Sequence, residues 1–473
     1  MEPFIQHLID EESDRQANYR QCRDYYDGRQ GVKLSERQRR YLHVQPGQEF
    51  SANYMHIVVD SLATRLNVVG FDVPGDKALT KELNRWMRIM RISSLQNGVH
   101  TSAIRDGDAY GFVDWNPSRK APRLIPHLAY DGTRDGVHVH YNTETAEPMI
   151  FTKRWLIEAG SDLPVGARRL NVYHADRVER YWSHASTGQY GWMPWSGNGL
   201  STVTRYTTGF PLVHFTNRAR GFLYGLSELS PGIPMQDAIN KAVIDLLAAA
   251  DASGFRIMVA IGFDPSGLTL APGSFIADPD HTPDEASVVA IPGEALRPHI
   301  ETVDSFVQRL GQVTDTPLSY FQQSGQMASE GTHRQHETRA IAKARTASVE
   351  LGEQWEELMR ACIRLSNAFG GTRYDEDAEI ELRWADFDIR DLETKMKLRA
   401  EAMKAIVEAV EVGAGVEEAA LAVGFTAEQA KRMGEVEYVT IERENRQQAA
   451  NVAAMAQRAR GNGNSGDDTE DNG

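Results

Sequence analysis

Hydrophobic positions in the first hundred residues recur at helical spacing and predict helices. A charged segment covers about residues 1–45, and basic side chains recur within it from Arg15 to Arg40. Acidic neighbours are interspersed among them, which is typical of a solvated helix face. From Ser51 apolar residues recur near helical spacing until Gly70, and another helix is expected over about 77–105.

The pattern changes to alternation in the middle of the chain, between about Tyr110 and Phe215. Short runs such as GVHVHYN, MIFTKRWLI and LNVYHADRVERYW alternate apolar and polar residues, and turn-forming residues separate them. Such runs are typical of strands and hairpins. The sequence therefore predicts a β-rich unit here.

Two amphipathic helices are predicted on either side of a compact insert. Ser230 followed by Pro231 is a helix start signal, because the serine oxygen accepts an unpaired N–H and proline has none to lose. The helix that follows carries an apolar stripe of Met235, Ile239, Val243 and Leu247 and a polar stripe of Asp237, Lys241 and Asp245. Short β runs divided by proline and glycine follow to about 297, and a helix resumes at Pro298.

A polar, glutamine-rich segment at about 314–332 has no clear period and interrupts the helices. A long helix is predicted after it, because Thr332 and Gln335 form a capping-box pattern and helix formers continue to about Phe369. Only Gly352 weakens that run. A strand-like segment, AEIELRWAD, comes next, and short helices rich in Ala, Glu and Lys are expected from Leu392.

Composition and charge limit the possible functions. The chain has 473 residues, with 51 Lys+Arg against 66 Asp+Glu and a net charge of −15. This excludes a generally basic surface that coats DNA, since non-specific binding comes from cations that neutralise phosphates.

The two cysteines, Cys22 and Cys362, are too isolated for a metal cluster or a disulfide framework. Neither a signal peptide nor a membrane span is expected, so the protein is expected to be soluble when made.

Candidate catalytic motifs are weak. The formal G-x-G-x-x-G at Gly461, Gly463 and Gly466 lacks the strand and helix that a dinucleotide loop needs. Four aspartates in glycine-containing segments could bind Mg²⁺ in a nuclease, but aspartate beside glycine is also ordinary turn chemistry. These are Asp106, Asp108, Asp131 and Asp135.

Two histidine groups have a simple interpretation as surface residues. His138 and His140 share one face of a predicted strand, as in a half-exposed hairpin, and His333, His336 and Glu337 lie together on a predicted helix surface. We therefore expect no catalytic residue, no metal and no cofactor, and expect that the protein is not an enzyme.

Three segments resemble portal proteins of tailed bacteriophages, the head-to-tail connector family of siphophage type. FTNRARGFLYGLSELSPGIPMQDAINKAVIDLL resembles the entry to the stem helix, SANYMHIVVDSLATRLNVVGF an N-terminal segment, and GQMASEGTHRQHETRAIAKARTASVELGEQWEELMRACIRL the tunnel loop and long wing helix. The similarity runs in order from about Tyr25 to Met433. The family often opens the long helix with a small-residue, Glu-Ala-type run, where this chain has GTHRQHETRA.

The resemblance implies an α+β portal fold assembled as a ring, typically of twelve subunits, at one capsid vertex. The implied parts are a wing of N-terminal helices and a β-rich unit at 1–230, a first stem helix at 231–252, a β clip at 253–297, a second stem helix at 298–313, a tunnel loop at 314–332, the wing's long helix and strand at 333–387, a helical crown at 388–460, and a disordered acidic tail at 461–473.

The resemblance also implies a role and partners. The ring would be a conduit for genome packaging and ejection, through which double-stranded DNA passes without sequence specificity. Its partners would be the large terminase subunit, head-completion or adaptor proteins, and scaffolding and major capsid proteins, in the host cytoplasm during assembly and then in the virion. The DNA-facing residues of the tunnel loop would be Gln322, Gln323, Gln326, His333 and Arg334, and the two stem stripes would pack between subunits.

Two alternatives remain open from the sequence alone. One is another capsid-associated structural protein, such as a minor head protein or an adaptor. The other is a Mg²⁺-dependent nuclease or packaging enzyme that uses the aspartates named above. The missing phosphate-binding loop weighs against an ATPase.

Overall fold

The structure is a computed structural model, and it divides the chain into two compact units, Met1–Phe387 and Asp388–Gly473. It describes residues 2–31, 36, 39, 51–158, 162–184, 191–219, 223–254, 258–261, 287–290, 296–321, 330–387, 392–425 and 427–435. Helices and antiparallel sheets occur together, which confirms the predicted α+β class. Among these residues, none of the helices has the length and apolarity needed to cross a membrane.

The chain is mainly helical up to Asp106. The elements of this part are α1 (Glu2–Asp27), α2 (Met55–Ala63), β1 (Val68–Asp72), α3 (Lys77–Ile89) and α4 (Ile92–Asp106). The single helix predicted over 77–105 is wrong, because Arg91 adopts a left-handed conformation with φ 58° and separates two helices. Helix α3 is capped by Asp76, whose carboxylate accepts hydrogen bonds from the backbone N–H groups of Ala78 and Leu79.

The middle of the chain forms two antiparallel sheets, as the alternating pattern predicted. Their strands are β2 (Asp108–Asn116), β3 (Ala121–Leu128), β4 (Gly136–Tyr141), β5 (Pro148–Leu156), β6 (Arg168–Tyr173), β7 (Arg177–Ser183), β8 (Met193–Pro194), β9 (Val203–Arg205) and β10 (Leu212–Thr216). One sheet has the order β10-β2-β3. The other has the order β4-β5-β6-β7-β8, with β9 also paired to β7.

The larger sheet lies between α1 and the smaller sheet. On one face, Ile5 and Leu8 of α1 pack against Ile150 and Leu170. On the other face, Tyr110 of β2 meets Phe151 of β5 edge-on. Because both faces are covered, strands β4 and β6 are almost entirely buried.

The expectation of a solvated basic face on the first helix is wrong for Arg23, whereas Arg15 is half-buried and Arg20 is exposed. The Arg23 side chain is only 1% exposed, because it bonds to the carboxylates of Asp106 and Asp131 at the edge of the sheets. Arg29, near the end of the same helix, does remain exposed, with its guanidinium beside Asp24 and Asp27. The burial of Arg23 depends on acidic partners that are distant in the sequence.

Two helices and a small insert follow the sheets. Helix α5 (Ile233–Gly254) begins two residues after the predicted start at Pro231, because residues 230–232 form a turn. Strands β11 (Met258–Ile261) and β12 (Ser287–Ala290) pair antiparallel, and α6 (Arg297–Val313) then packs against α5. The predicted order of helix, β insert and helix is therefore confirmed.

A short 3-10 helix (Leu318–Tyr320) precedes the long helix α7 (Glu330–Phe369). The helix begins before the capping-box pattern, so Thr332 does not mark its start, and it runs without interruption through Gly352. Strand β13 (Glu381–Trp384) then pairs antiparallel with β1, and Phe71 lies opposite Leu382. Helices α2 to α4, the smaller sheet and α5 to α7 share the largest core, which includes the fully buried Trp86 and Trp355.

The second unit contains helices α8 (Leu392–Glu411), α9 (Val416–Ala422) and α10 (Ala427–Glu435). They share a small core that contains Ile406, Val407 and Ala420. The acidic tail at 461–473 lies outside the described residues.

Candidate functional site

Three of the five residues predicted to face DNA belong to the segment between the 3-10 helix and α7, and the other two belong to α7 itself. Gln322, Gln323 and Gln326 lie outside the described residues, and His333 and Arg334 are placed in the first turns of α7 by their backbone. Their contact with DNA stays a prediction. The structure does describe the side chains that flank the segment on both sides.

Arg65 binds both flanks of this segment. Its side chain is 1% exposed, and its Nη2 donates to the Tyr320 hydroxyl at 2.9 Å and to Glu337 Oε2 at 2.7 Å. Its Nη1 donates to the carbonyl oxygen of Phe387 at 3.2 Å. One guanidinium therefore joins the 3-10 helix, α7 and the end of the first unit.

A second cation, Lys343 of α7, binds residues that lie before α5 and after α6. Lys343 Nζ donates to the carbonyl oxygen of Thr314 at 2.7 Å and lies 2.7 Å from Glu228 Oε2. Glu228, whose side chain is 2% exposed, also accepts hydrogen bonds from Asn217 and Arg218. These contacts join the residue after α6 and the turn before α5 to one face of the long helix.

A cavity of about 420 Å³ opens beside this junction. Its walls come from four parts of the chain: the turn after β10, the turn before α5, the residues after α6, and α7. The charged side chains in its lining are Arg218, Glu228, Asp315, Arg339, Lys343 and Glu350. Cations and carboxylates alternate there, so the cavity has no strong preference for an anion or a cation.

The apolar stripe of α5 packs largely within its own chain. Ile239 is fully buried in the largest core, and Met235 and Val243 are half-buried against it. Leu247 is also half-buried. The structure therefore explains the apolar character of much of this stripe without a second subunit, and its role in subunit packing stays a prediction.

The polar stripe of α5 is exposed. It consists of Asp237, Lys241 and Asp245. Asp237 accepts a hydrogen bond of 2.6 Å from the hydroxyl of Tyr25, so its carboxylate also connects α5 to α1.

Buried amides that sequence reasoning missed hold the start of α5. Gln236 and Asn240, four residues apart on one helix face, are fully buried. Gln236 accepts from the backbone N–H of Tyr54 and donates to the carbonyl oxygen of Ala52. Asn240 accepts from the Ala52 N–H. The signal in the sequence is a pair of amides at this spacing, outside the polar stripe of the helix.

The aspartates weighed for nuclease chemistry already have partners, and the turn interpretation is confirmed for Asp131, whose Oδ1 accepts from the backbone N–H groups of Thr133 and Arg134. Asp135 accepts from the backbone N–H of Leu156, and Asp106, Asp108 and Asp131 are bonded to cations. Asp106 and Asp131 both bind Arg23, and Asp106 also binds Arg105. Asp108, which is 0% exposed, accepts from Arg15, the Tyr19 hydroxyl and the Gly225 N–H and lies 2.9 Å from His214 Nε2.

These partners determine the ionisation of Asp108. Burial alone would raise the pKa of its carboxyl, but the hydrogen bond with His214 and the charge of Arg15 outweigh burial and lower it. Its lone pairs are occupied, so Asp108 is a structural anion that holds α1 on the sheets.

His138 and His140 are buried, so their interpretation as a half-exposed hairpin is wrong. They lie on the sheet face that α1 covers. His140 is held between Glu11 and Glu12, and hydrogen bonding to Glu12 outweighs burial and raises its pKa. Burial lowers the pKa of His138 to about 3, so it is neutral. Among the described residues there is no group of three or more His, Cys, Asp and Glu with metal-site geometry.

Comparison with known proteins decides the family. The family model described as "Phage portal protein, SPP1 Gp6-like" matches residues 5–435. The chain belongs to this phage portal family. It is thus a portal, or head-to-tail connector, protein, and the resemblance carried by its stem-helix entry is confirmed.

Solved structures of particle necks also resemble this portal protein. A chain of "Neck of empty GTA particle computed with C6 symmetry" has 14% sequence identity and a TM-score of 0.43, covering 78% of this chain and 88% of that one. A chain of "Virion of native gene transfer agent (GTA) particle" has 13% identity and a TM-score of 0.41 over the same shares. No curated protein matches the chain.

The portal family is a structural one. In the structure of this portal protein the main feature beside the predicted DNA-facing segment is the junction around α7, where Arg65 binds Glu337 and Lys343 binds Thr314 and Glu228. Sequence reasoning missed both cations; Glu337, which was predicted on a solvated surface, is 37% exposed and is also bound by Arg65. The available signal was a lone arginine between the buried Leu62 and Leu66.

Proposed function

We propose that this portal protein assembles into a ring that forms the DNA conduit at one vertex of the capsid. The family match over residues 5–435, which includes both stem helices and α7, carries the proposal. Head-to-tail contacts between identical subunits close into rings when the rotation between them permits. The ring, typically of twelve subunits in similar portals, acts in the virion after assembly in the host cytoplasm.

The exposed face of α5 is the proposed subunit contact. Asp237, Lys241 and Asp245 place charges of both signs along it, four residues apart. Ile300 and Val313 of α6 are each 47% exposed, so α6 also presents apolar surface. A neighbouring copy that covers these helices would bury this surface.

The wall of the conduit is proposed not to hold DNA. Each cation that contacts phosphate would be repeated in every subunit, and counterion release would then make the channel adhesive. The net charge of −15 and the uncharged Gln322, Gln323 and Gln326 favour the opposite behaviour. These three residues, with His333 and Arg334, are the proposed DNA-facing set.

Partner proteins would supply the ATP hydrolysis for packaging and would attach to the ring. The ring is proposed to dock the large terminase subunit, which hydrolyses ATP during packaging, and then head-completion or adaptor proteins. The insert that contains β11 and β12 separates two helices that pack together, so it is suited to docking. Scaffolding and major capsid proteins would contact the ring during assembly.

Electron microscopy of the purified protein tests the ring. We expect particles with rotational symmetry and a central hole wide enough for duplex DNA. A monodisperse monomer under all conditions would contradict the proposal. Labelled protein found at every capsid vertex, rather than at one, would instead support a minor head protein.

A deletion tests the DNA-facing segment. Removal of Gln322–Gln326 should leave rings intact and reduce the DNA packaged per head, because these residues would line the channel. Loss of ring formation in this variant would show that the segment has an assembly role instead.

A further inference from the structure

Arg65 brings together three parts of the chain that are far apart in sequence. Its guanidinium bonds to Tyr320, Glu337 and Phe387, which lie 255, 272 and 322 positions further along the chain. Tyr320 precedes the segment 322–329, Glu337 follows it, and Phe387 ends the first unit. No other side chain in the described part of the structure is recorded as bonding to both Tyr320 and Glu337.

The backbone that carries Arg65 is firmly placed. The residue follows α2, its N–H donates to the carbonyl oxygen of Leu62, and both Leu62 and Leu66 are buried in the largest core. The Arg65 side chain therefore extends from a packed base. Its position does not depend on the residues that it binds.

The chemistry requires arginine. Three acceptors in different directions need the planar fork of donors that a guanidinium provides, whereas a lysine ammonium is a point charge on a flexible stem. The Arg65 guanidinium also lies 5.9 Å from the centre of the Tyr320 ring. Replacement by lysine would keep the charge but could not maintain all three contacts.

We propose that Arg65 is a positioning residue that fixes the two flanks of segment 322–329 relative to each other and to the end of the first unit. In the ring this would set the two points between which the segment with the proposed DNA-facing residues Gln322, Gln323 and Gln326 runs, a consequence that rests on the proposed function. The Arg65–Glu337 ion pair then has a role in DNA passage beyond its contribution to folding.

The proposal predicts that a substitution in one flank changes hydrogen exchange in the other flank. Tyr320→Phe removes only a hydroxyl, yet the amides of residues 337–345 should exchange hydrogen faster, by about fivefold to tenfold. Glu337→Gln should have the same effect on residues 316–321. Arg65→Lys should affect both flanks together. Exchange is measured by mass spectrometry on assembled rings.

Arg85→Lys is the matched control. Arg85 also pairs with a glutamate, Glu82, but at an exposed position on α3. This variant should leave exchange unchanged in both flanks. If Tyr320→Phe speeds exchange only near residue 320, or equally throughout the first unit including α3, the positioning role is refuted.

DNA packaging distinguishes this proposal from the function on which it rests. Heads built with Arg65→Lys rings should package at least about threefold less DNA than heads with Arg85→Lys rings. If hydrogen exchange changes in both flanks while DNA packaging stays normal, the positioning role is upheld. The assignment of Gln322, Gln323 and Gln326 to the channel wall is then refuted. Rings that fail to form with Arg65→Lys would refute the proposal, because assembly would then explain every other effect.

Discussion

Trp355 of α7 donates a hydrogen bond of 2.9 Å from its indole Nε1 to Nε2 of His100 on α4. The imidazole Nδ1 lies 3.0 Å from the carbonyl oxygen of Leu66 and must donate to it. His100 is therefore neutral, and its tautomer is set by these two partners. Because both side chains are fully buried, this contact joins α4, α7 and the end of α2 inside the largest core.

The protein should lose stability in mild acid because of His100. Burial lowers its pKa from 6.5 to about 4, so the unfolded chain binds the proton more tightly than the folded one. Stability is complete above pH 6.5 and decreases as the pH falls towards about 4, by about 3 kcal/mol for this group. Denaturant unfolding from pH 7.5 to 4 at constant protein concentration measures the effect.

His100→Gln is the comparison for that measurement. It should be less stable at pH 7.5 and should show a weaker dependence on pH, since glutamine does not titrate. His127 and His138, whose pKa values burial also lowers, remain in both proteins and cancel in the comparison. Identical pH dependence in the two proteins would contradict the assigned neutral state.

A methyl group at Gly225 should not be tolerated. A Cβ there would collide with the carbonyl oxygen of Gly107 and lie 2.8 Å from the backbone N and O of Asn217. Since backbone atoms cannot move aside easily, Gly225→Ala should lower the free energy of unfolding by about 1–3 kcal/mol. Gly98→Ala, at an exposed position of α4 with nothing within 4 Å, should instead raise it by about 0.5–1 kcal/mol. Equal effects would show that the close approach is absent.

Loss of the Arg23 guanidinium should be among the most damaging single changes to α1. Arg23→Met would leave the buried carboxylates of Asp106 and Asp131 without this partner, at a cost of about 3–5 kcal/mol. Arg29→Met, at the exposed end of the helix, should cost less than about 1 kcal/mol. Urea unfolding of both variants measures the difference, and similar costs would contradict the burial of Arg23.

Substitutions on α5 should separate folding from assembly. Ile239→Ala removes a fully buried side chain and should lower the unfolding free energy by about 2–4 kcal/mol. Asp245→Lys changes an exposed charge and should alter stability by less than about 0.5 kcal/mol while reducing the yield of rings. Val243→Asp should impair both. Light scattering and thermal unfolding measure the two properties, and normal ring yield with Asp245→Lys would exclude this face from the subunit contact.

Patterns within a short window predicted much of the fold. The strands between Tyr110 and Phe215, the order of helix, insert and helix, and the end of α7 at Phe369 all follow from local periodicity. The positions where helices begin and end were harder to predict from the sequence. Arg91 adopts a backbone conformation that disfavours any residue with a Cβ, so neither its chemistry nor its neighbours indicate it. Thr332 matches a cap pattern inside a continuous helix.

The candidate site could not be predicted from the sequence for a different reason. Arg65 and Glu337 are both charged residues in helical patterns, and such residues are usually solvated. Only the packing of α2 against α7 brings them together and excludes water from the guanidinium. The same holds for Arg23, whose two carboxylate partners lie 83 and 108 positions along the chain.

The pairing of β1 with β13 has a consequence during synthesis on the ribosome. Val68 is translated early, yet its partner Trp384 emerges only after the sheets, the stem helices and the whole of α7. Until then β1 presents a free strand edge of the kind that invites pairing with other nascent chains. Premature termination anywhere between Asp72 and Glu381 should therefore yield an aggregation-prone fragment, and a stop codon in the insert would be as harmful as one shortly after β1.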